Sequence, residues 1–195
     1  MQDVIETRKI GNLTVSLYYS DAAESPREWE EDSTFFGFHR RYSSPDEPPV
    51  RDPDTALLIA TLRGNICLPV WFYDHSGTTY RAAESNPFSC PWDSGLFGFI
   101  YISRKAARER FGVSRLTAKT VERVKESLKS EVEAYSAWAN GEVYGWSIED
   151  ADGDVIDACG GYIGDSDYAL QEGIEAAKEI LQTARDFDED AIGAY

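Results

Sequence analysis

The sequence predicts an α+β fold, a single domain with an antiparallel or mixed sheet and helices packed mainly on one side. Three observations carry this. Short alternating or apolar runs, punctuated by Gly, Pro and Asp, read as strands over 10–19, 33–41, 65–73, 96–102 and 142–149. Val121, Val124, Leu128, Val132, Tyr135 and Ala139 recur at three- and four-residue steps, the apolar stripe of one long helix. Strands and helices mix without the regular alternation of β-α-β units. A chain of 195 residues with 42% hydrophobic and 13% aromatic content can bury a sizeable core.

Taken in order, 10–19 (IGNLTVSLYY) alternates and is rich in β-branched and aromatic residues. Residues 21–32 are polar and acidic, with Ser25-Pro26 as a turn or helix-start signal. In 33–41 (STFFGFHRR), aromatic residues fall on both faces of a strand. The segment 43–53 is a loop rich in proline. A short helix follows over 54–63, with Asp52 or Asp54 able to cap it and Gly64 suited to its end. Residues 65–73 (NICLPVWFY) read as a buried strand, with Pro69 placing it at an edge or bulge. The connection 74–95 shows no periodicity and holds Phe88 and Trp92, so it reads as a long loop ordered by packing.

The run 96–102 (LFGFIYI) is a second buried strand, and Ser103 can cap a basic helix over 104–111. Ser114 or Thr117 opens the long helix, which Asn140-Gly141 closes. Residues 142–149 alternate, 150–154 (DADGD) make a turn, and 155–159 return as the hairpin partner. Gly160, Gly161 and Gly164 suggest a flexible exit into a helix over 169–184. The tail 186–195 is acidic and is expected to fray.

Net charge is −16, from 35 acidic and 19 basic residues. Such a chain repels nucleic acid and anionic lipid, which argues against a direct nucleic-acid binder. The charge is unevenly distributed: 104–131 holds nine basic and four acidic residues, whereas 133–195 holds sixteen acidic and two basic. Pairing between the basic helices and the acidic strands and tail is one reading, a solvated acidic surface a second. The third is an acidic face for a basic partner, the nucleic-acid-binding surface of another protein. Its contact residues would be Glu149, Asp150, Asp152, Asp154, Asp157, Asp165, Asp167, Asp186, Asp188, Glu189 and Asp190.

Catalytic chemistry has one candidate locus. Asp74-His75 follows one buried strand, and Cys90 and Asp93 precede the next. If those strands pair, His75 would approach Cys90, with Asp74 or Asp93 orienting the imidazole, the arrangement a thiolate nucleophile needs. A hydrolase or transferase is the activity this would support. The plainer reading makes His75 a turn residue and Cys90 a small buried hydrophobe.

Cys67, His75, Cys90 and Cys159 have no metal-binding spacing. Asp150, Asp152, Asp154 and Asp157 open like a calcium loop but lack glycine at the sixth position and the closing glutamate. His39, flanked by Phe38, Arg40 and Arg41, could meet an anionic ligand. No cofactor or metal is expected. Three cysteines without framework spacing fit a reducing compartment, and the first residues lack signal-peptide features, so a cytoplasmic setting is expected. No apolar run reaches the roughly 18 residues of a membrane span.

The motifs YDHSG (73–77) and PFSCPWDSG (87–95), with SPREWEED, FHRRY and EVEAYSAWANGEVYGWSIED, resemble a family of uncharacterised proteins encoded by phages and mobile elements. The likeness spans about residues 25–159 and brings no reaction and no assigned residues. It implies a host-cell setting in which small acidic proteins act as counter-defence factors against restriction or CRISPR machinery. A structural or assembly component is the other role considered.

Overall fold

In a computed structural model, which describes residues 3–21, 23–29, 32–62 and 64–192, the chain is α+β and its strands form two antiparallel sheets. In order, the elements are β1 (Val4–Ile10), β2 (Leu13–Tyr19), a 3-10 turn (Pro26–Glu28), β3 (Ser33–Gly37) and α1 (Pro53–Leu62). They continue with β4 (Ile66–Asp74), β5 (Thr78–Ala82), β6 (Ser94–Ile102), α2 (Arg104–Arg110) and α3 (Ala118–Ala139). The last three are β7 (Val143–Glu149), β8 (Val155–Ile163) and α4 (Ser166–Ile192). The chain divides into two compact units, residues 1–24 with 141–195, and residues 25–140. Where the sequence suggested one sheet, each unit has its own.

The first unit has strand order β1-β2-β7-β8 with α4 against it. Leu13, Val15 and Leu17 alternate along β2, so one face of the strand is apolar. They pack with Trp146, Ile148 and the helix residues Ala169, Leu170 and Ala177. Gly173 permits the helix to approach: a Cβ there would stand 2.8 Å from Trp146 Cγ and 2.9 Å from Val15 Cγ1. The indole of Trp146 donates to the Tyr162 hydroxyl at 3.1 Å, which satisfies its N–H.

The second unit has strand order β3-β6-β4-β5. One face holds Phe35, Leu68, Val70, Tyr80, Phe97, Ile100 and Ile102, packed with Val124, Leu128 and Val132 of α3 and Ala107 of α2. On the other face Phe36 and Phe99 pack with Ala56 of α1. A buried ionic network ties the 3-10 turn to the sheet and α3. Arg27 grips Asp46 with Nε at 3.1 Å and Nη2 at 2.7 Å, and reaches Glu131 at 3.1 Å. Glu131 also accepts from Ser33 and Arg110. Burial pulls the Arg27 guanidinium down, but Asp46 and Glu131 outweigh it and hold its pKa above the ordinary value.

Several local expectations change. The stretch 74–95, expected to be one ordered loop, contains β5, whose register with β4 pairs Tyr80 with Phe72. The strand expected over 10–19 is β2 alone, preceded by β1 across a two-residue turn. Gly160 and Gly161, expected in a flexible exit, lie within β8, which is longer than its predicted span. The helix predicted over 169–184 extends from Ser166 to Ile192, through much of the tail expected to fray. Residues 193–195, the end of that tail, lie outside the described residues. No helix among the described residues is long and apolar enough to cross a membrane.

Candidate functional site

β4 and β6 pair with Tyr73 opposite Ser94, and the Asp74 N–H donates to the Asp93 carbonyl at 2.8 Å. The two ends of the 74–95 connection therefore meet. Two of the expected residues, Cys90 and Asp93, are in contact there. The Cys90 thiol donates to Asp93 Oδ2 at 3.3 Å, and Ser94 Oγ donates to the Cys90 carbonyl at 2.6 Å. His75 is exposed and stacks on Tyr73, ring centroids 5.8 Å apart, and Tyr73 stacks in turn on Phe88 at 5.3 Å. Asp74 pairs with Arg41, 2.8 Å from Nη2 to Oδ2. Of the four candidate catalytic residues, Cys90 and Asp93 are joined. Among the described residues no hydrogen bond links Cys90 to His75. The thiol is directed at the Asp93 carboxylate and not at an imidazole.

All three cysteines are free. Cys67 is half-buried on β4, and burial, with Glu84 adding to it, pushes its thiol up to about 11. Cys159 is exposed on β8. Among the described residues no three His, Cys, Asp or Glu side chains are grouped to hold a metal ion.

The predicted acidic contact residues all lie in the first unit. Glu149 and Asp150 are half-buried, whereas Asp152, Asp154, Asp157, Asp165, Asp167 and Asp186 are exposed. Several are tied to local backbone. Asp150 Oδ1 accepts from the N–H of Asp152 at 2.9 Å and of Asp154 at 3.0 Å, which closes the β7–β8 turn. Asp165 Oδ1 accepts from Tyr168 N at 2.8 Å and caps α4. The side chains of Asp188, Glu189 and Asp190 lie outside the described residues. Residues 1–24 and 141–195 carry nineteen acidic and four basic residues, net −15; residues 25–140 carry sixteen and fifteen, net −1. Within the first unit the ion pairs among described residues are Arg8–Glu6 and Lys178–Glu175. The basic helices α2 and α3 belong to the second unit. There Lys125 pairs with Glu84 at 2.6 Å, Lys129 with Glu126 at 2.7 Å, and Arg110 with Asp32 and Glu131.

Sequence reasoning passed over a third location. A cavity of about 400 Å³ in the second unit is lined by Arg41, Tyr42, Ser43, Gly77, Thr78, Tyr80, Tyr135, Ala139 and Asn140. Its rim is held by α3: Asn140 Oδ1 accepts from Thr78 N, and Asn140 Nδ2 donates to Thr78 O. Beside it His39 stacks on Tyr42, centroids 4.8 Å apart and planes 14° from parallel, and touches Phe72 at 4.7 Å. His39 Nδ1 accepts from Arg41 N at 3.3 Å, which puts the proton of the neutral ring on Nε2. Burial, followed by the charge of Arg41, lowers the His39 pKa against the opposing pull of Asp74. The only advance signal was the aromatic and basic company of His39. Tyr42, Tyr80 and Tyr135 sit too far apart in the chain to advertise a shared cavity.

Comparison with known proteins finds no matching family model, no matching curated protein and no matching solved structure.

Proposed function

We propose that this chain is an acidic binding protein whose first unit docks on the basic, nucleic-acid-binding surface of another protein. The observation that carries this is the segregation of charge. Nearly all of the net −16 belongs to one unit, net −15, whose hairpin residues 151–160 are all exposed. Part of the basic charge of α2 and α3 is met within the second unit. Lys105, Lys125, Lys129 and Arg110 have carboxylate partners inside the second unit. Clustered unpaired carboxylates raise the local potential, speed the approach of a cationic surface and disfavour nucleic acid itself. The counter-defence setting implied by the phage-family resemblance fits such a mimic of nucleic-acid charge.

The experiment is affinity capture on the full chain with identification of what is retained. A variant carrying Asp152→Asn, Asp154→Asn and Asp157→Asn serves as the comparison. The expected result is a nucleic-acid-binding protein that wild type retains, the variant loses, and added DNA displaces. Equal retention by both chains, or no displacement by DNA, would remove the proposal.

A further inference from the structure

Among the described residues, the second unit holds a buried tyrosine whose hydroxyl has no protein partner. Tyr80 is 4% exposed, its ring wedged edge-on between Phe97 at 4.8 Å and Tyr135 at 5.7 Å. Its N–H donates to Ser136 Oγ at 2.9 Å, but among the described residues its hydroxyl has no hydrogen-bond partner. Every fully buried side-chain polar atom among those residues is satisfied, so this hydroxyl must open onto the cavity that Tyr80 lines. The hydroxyls of Tyr42 and Tyr135, on the same cavity, are likewise without protein partners among the described residues.

The remaining polar groups sort themselves. Both Nδ2 protons of Asn140 are used by Thr78 and Ser136, so its amide shapes the wall and offers no donor to a guest. Arg41 is 69% exposed and spends one nitrogen on Asp74, which leaves most of its five N–H donors available. The rings pack against one another, Tyr42 on Tyr80 at 6.5 Å and nearly perpendicular, so the wall does not present the facing aromatic planes that cage a quaternary ammonium. A guanidinium on the rim opposes a cation as well. What remains is a set of phenol donors with a fixed positive charge at the edge.

We infer that this cavity binds a small molecule through an oxyanion, a phosphate or carboxylate group held by the hydroxyls of Tyr42, Tyr80 and Tyr135 and by the Arg41 guanidinium. Burial, then the neighbouring Tyr135, Tyr42 and Asp74, raise the Tyr80 pKa strongly, so its hydroxyl remains protonated and able to donate. A volume of about 400 Å³ is at the lower end of ligand pockets and leaves room for a ring or sugar beside the anion. The site is independent of the acidic surface of the first unit: the cavity lies within residues 41–140, and its recognition chemistry has the opposite sign.

The test is isothermal titration of the full chain with phenyl phosphate and with benzoate, which separate the two oxyanions. Binding of either with a Kd below about 1 mM is the expected result. Tyr80→Phe removes one oxygen and keeps the ring, and Arg41→Gln changes an exposed side chain, so both should fold. Each is expected to weaken binding about tenfold or more, the usual loss for a hydrogen bond to a charged group. Tyr168→Phe, in the first unit, should bind as wild type. No heat from either probe at 10-fold excess over about 1 mM would overturn the assignment. So would wild-type affinity in both Tyr80→Phe and Arg41→Gln.

Discussion

Asn140 holds Thr78 as a neighbouring strand would: Oδ1 accepts from the Thr78 N–H at 3.0 Å and Nδ2 donates to the Thr78 carbonyl at 2.9 Å. The residue that ends α3 thereby supplies the missing pairing partner for the first residue of β5. The same amide donates to the Ser136 carbonyl at 2.8 Å, which also accepts from the Asn140 backbone N–H at 3.2 Å. Gly77 is at φ +149, and a Cβ there would lie 2.7 Å from Asn140 Oδ1, so this junction suits glycine.

Asn140→Ala strips a donor and an acceptor from Thr78 and one donor from Ser136. The expected cost is about 1–3 kcal/mol, read by urea unfolding. Amide exchange should quicken first at Thr78 and Thr79. Unchanged stability would mean that water replaces the amide without loss.

The Arg27 network predicts a non-additive pair. Arg27 is 5% exposed, and its removal leaves Asp46 without its cationic partner and Glu131 with Arg110 alone. Arg27→Met should cost about 3–5 kcal/mol. Adding Glu131→Gln should recover part of that loss, because a neutral amide no longer needs the guanidinium. Strict additivity in a double-mutant cycle would contradict the coupling.

The strands that were legible in the sequence are those that bury a face. β2 declares itself through Leu13, Val15 and Leu17, and β6 through an unbroken apolar run. β1 (VIETRKI) is an edge strand with no buried residue, so no hydrophobic alternation marks it. β5 buries Tyr80 and Ala82 alone and is too short to show a period. The candidate site was harder for a different reason. Asp74 or Asp93 was expected to orient His75, but Asp74 is drawn to Arg41, far away in sequence. Cys90 and Asp93 meet because a tight turn joins them, a contact that spacing alone suggests.

Thiol labelling should rank the cysteines. With a thiol pushed up to about 11, Cys67 has roughly one thiolate in a thousand at pH 8. Exposed Cys159 should alkylate readily there, while Cys67 waits for denaturant or alkaline pH. The sign for stability follows. Folding favours the protonated thiol, so this contribution is complete below the ordinary thiol pKa and is lost as pH rises towards about 11. Mass spectrometry of partially labelled chains reads the order directly, and rapid labelling of Cys67 at pH 8 would contradict it.

His39 makes the opposite prediction on the acid side. Its pKa is lowered by burial and by Arg41 and Arg40, so the folded chain favours the neutral ring. The stability it contributes is complete above about pH 6.5 and is lost as pH falls through the folded value. NMR titration of the two imidazoles, assigned with His39→Gln, should place the His39 midpoint below that of a free histidine. The ring-current shifts on Tyr42 should move with it, because the stacked ring becomes charged beside two arginines. A His39 midpoint at or above the free value would contradict this environment.

The central claim is that the carboxylates of the first unit meet a basic partner. The most direct measurement is the dissociation constant of the captured partner as a function of salt, for wild type and for the chain carrying Asp152→Asn, Asp154→Asn and Asp157→Asn. The account predicts that wild-type affinity falls steeply between about 0.05 and 0.5 M salt, as exposed charges become screened. It also predicts a shallower slope for the neutralised chain. Identical, salt-insensitive affinities in the two chains would contradict it.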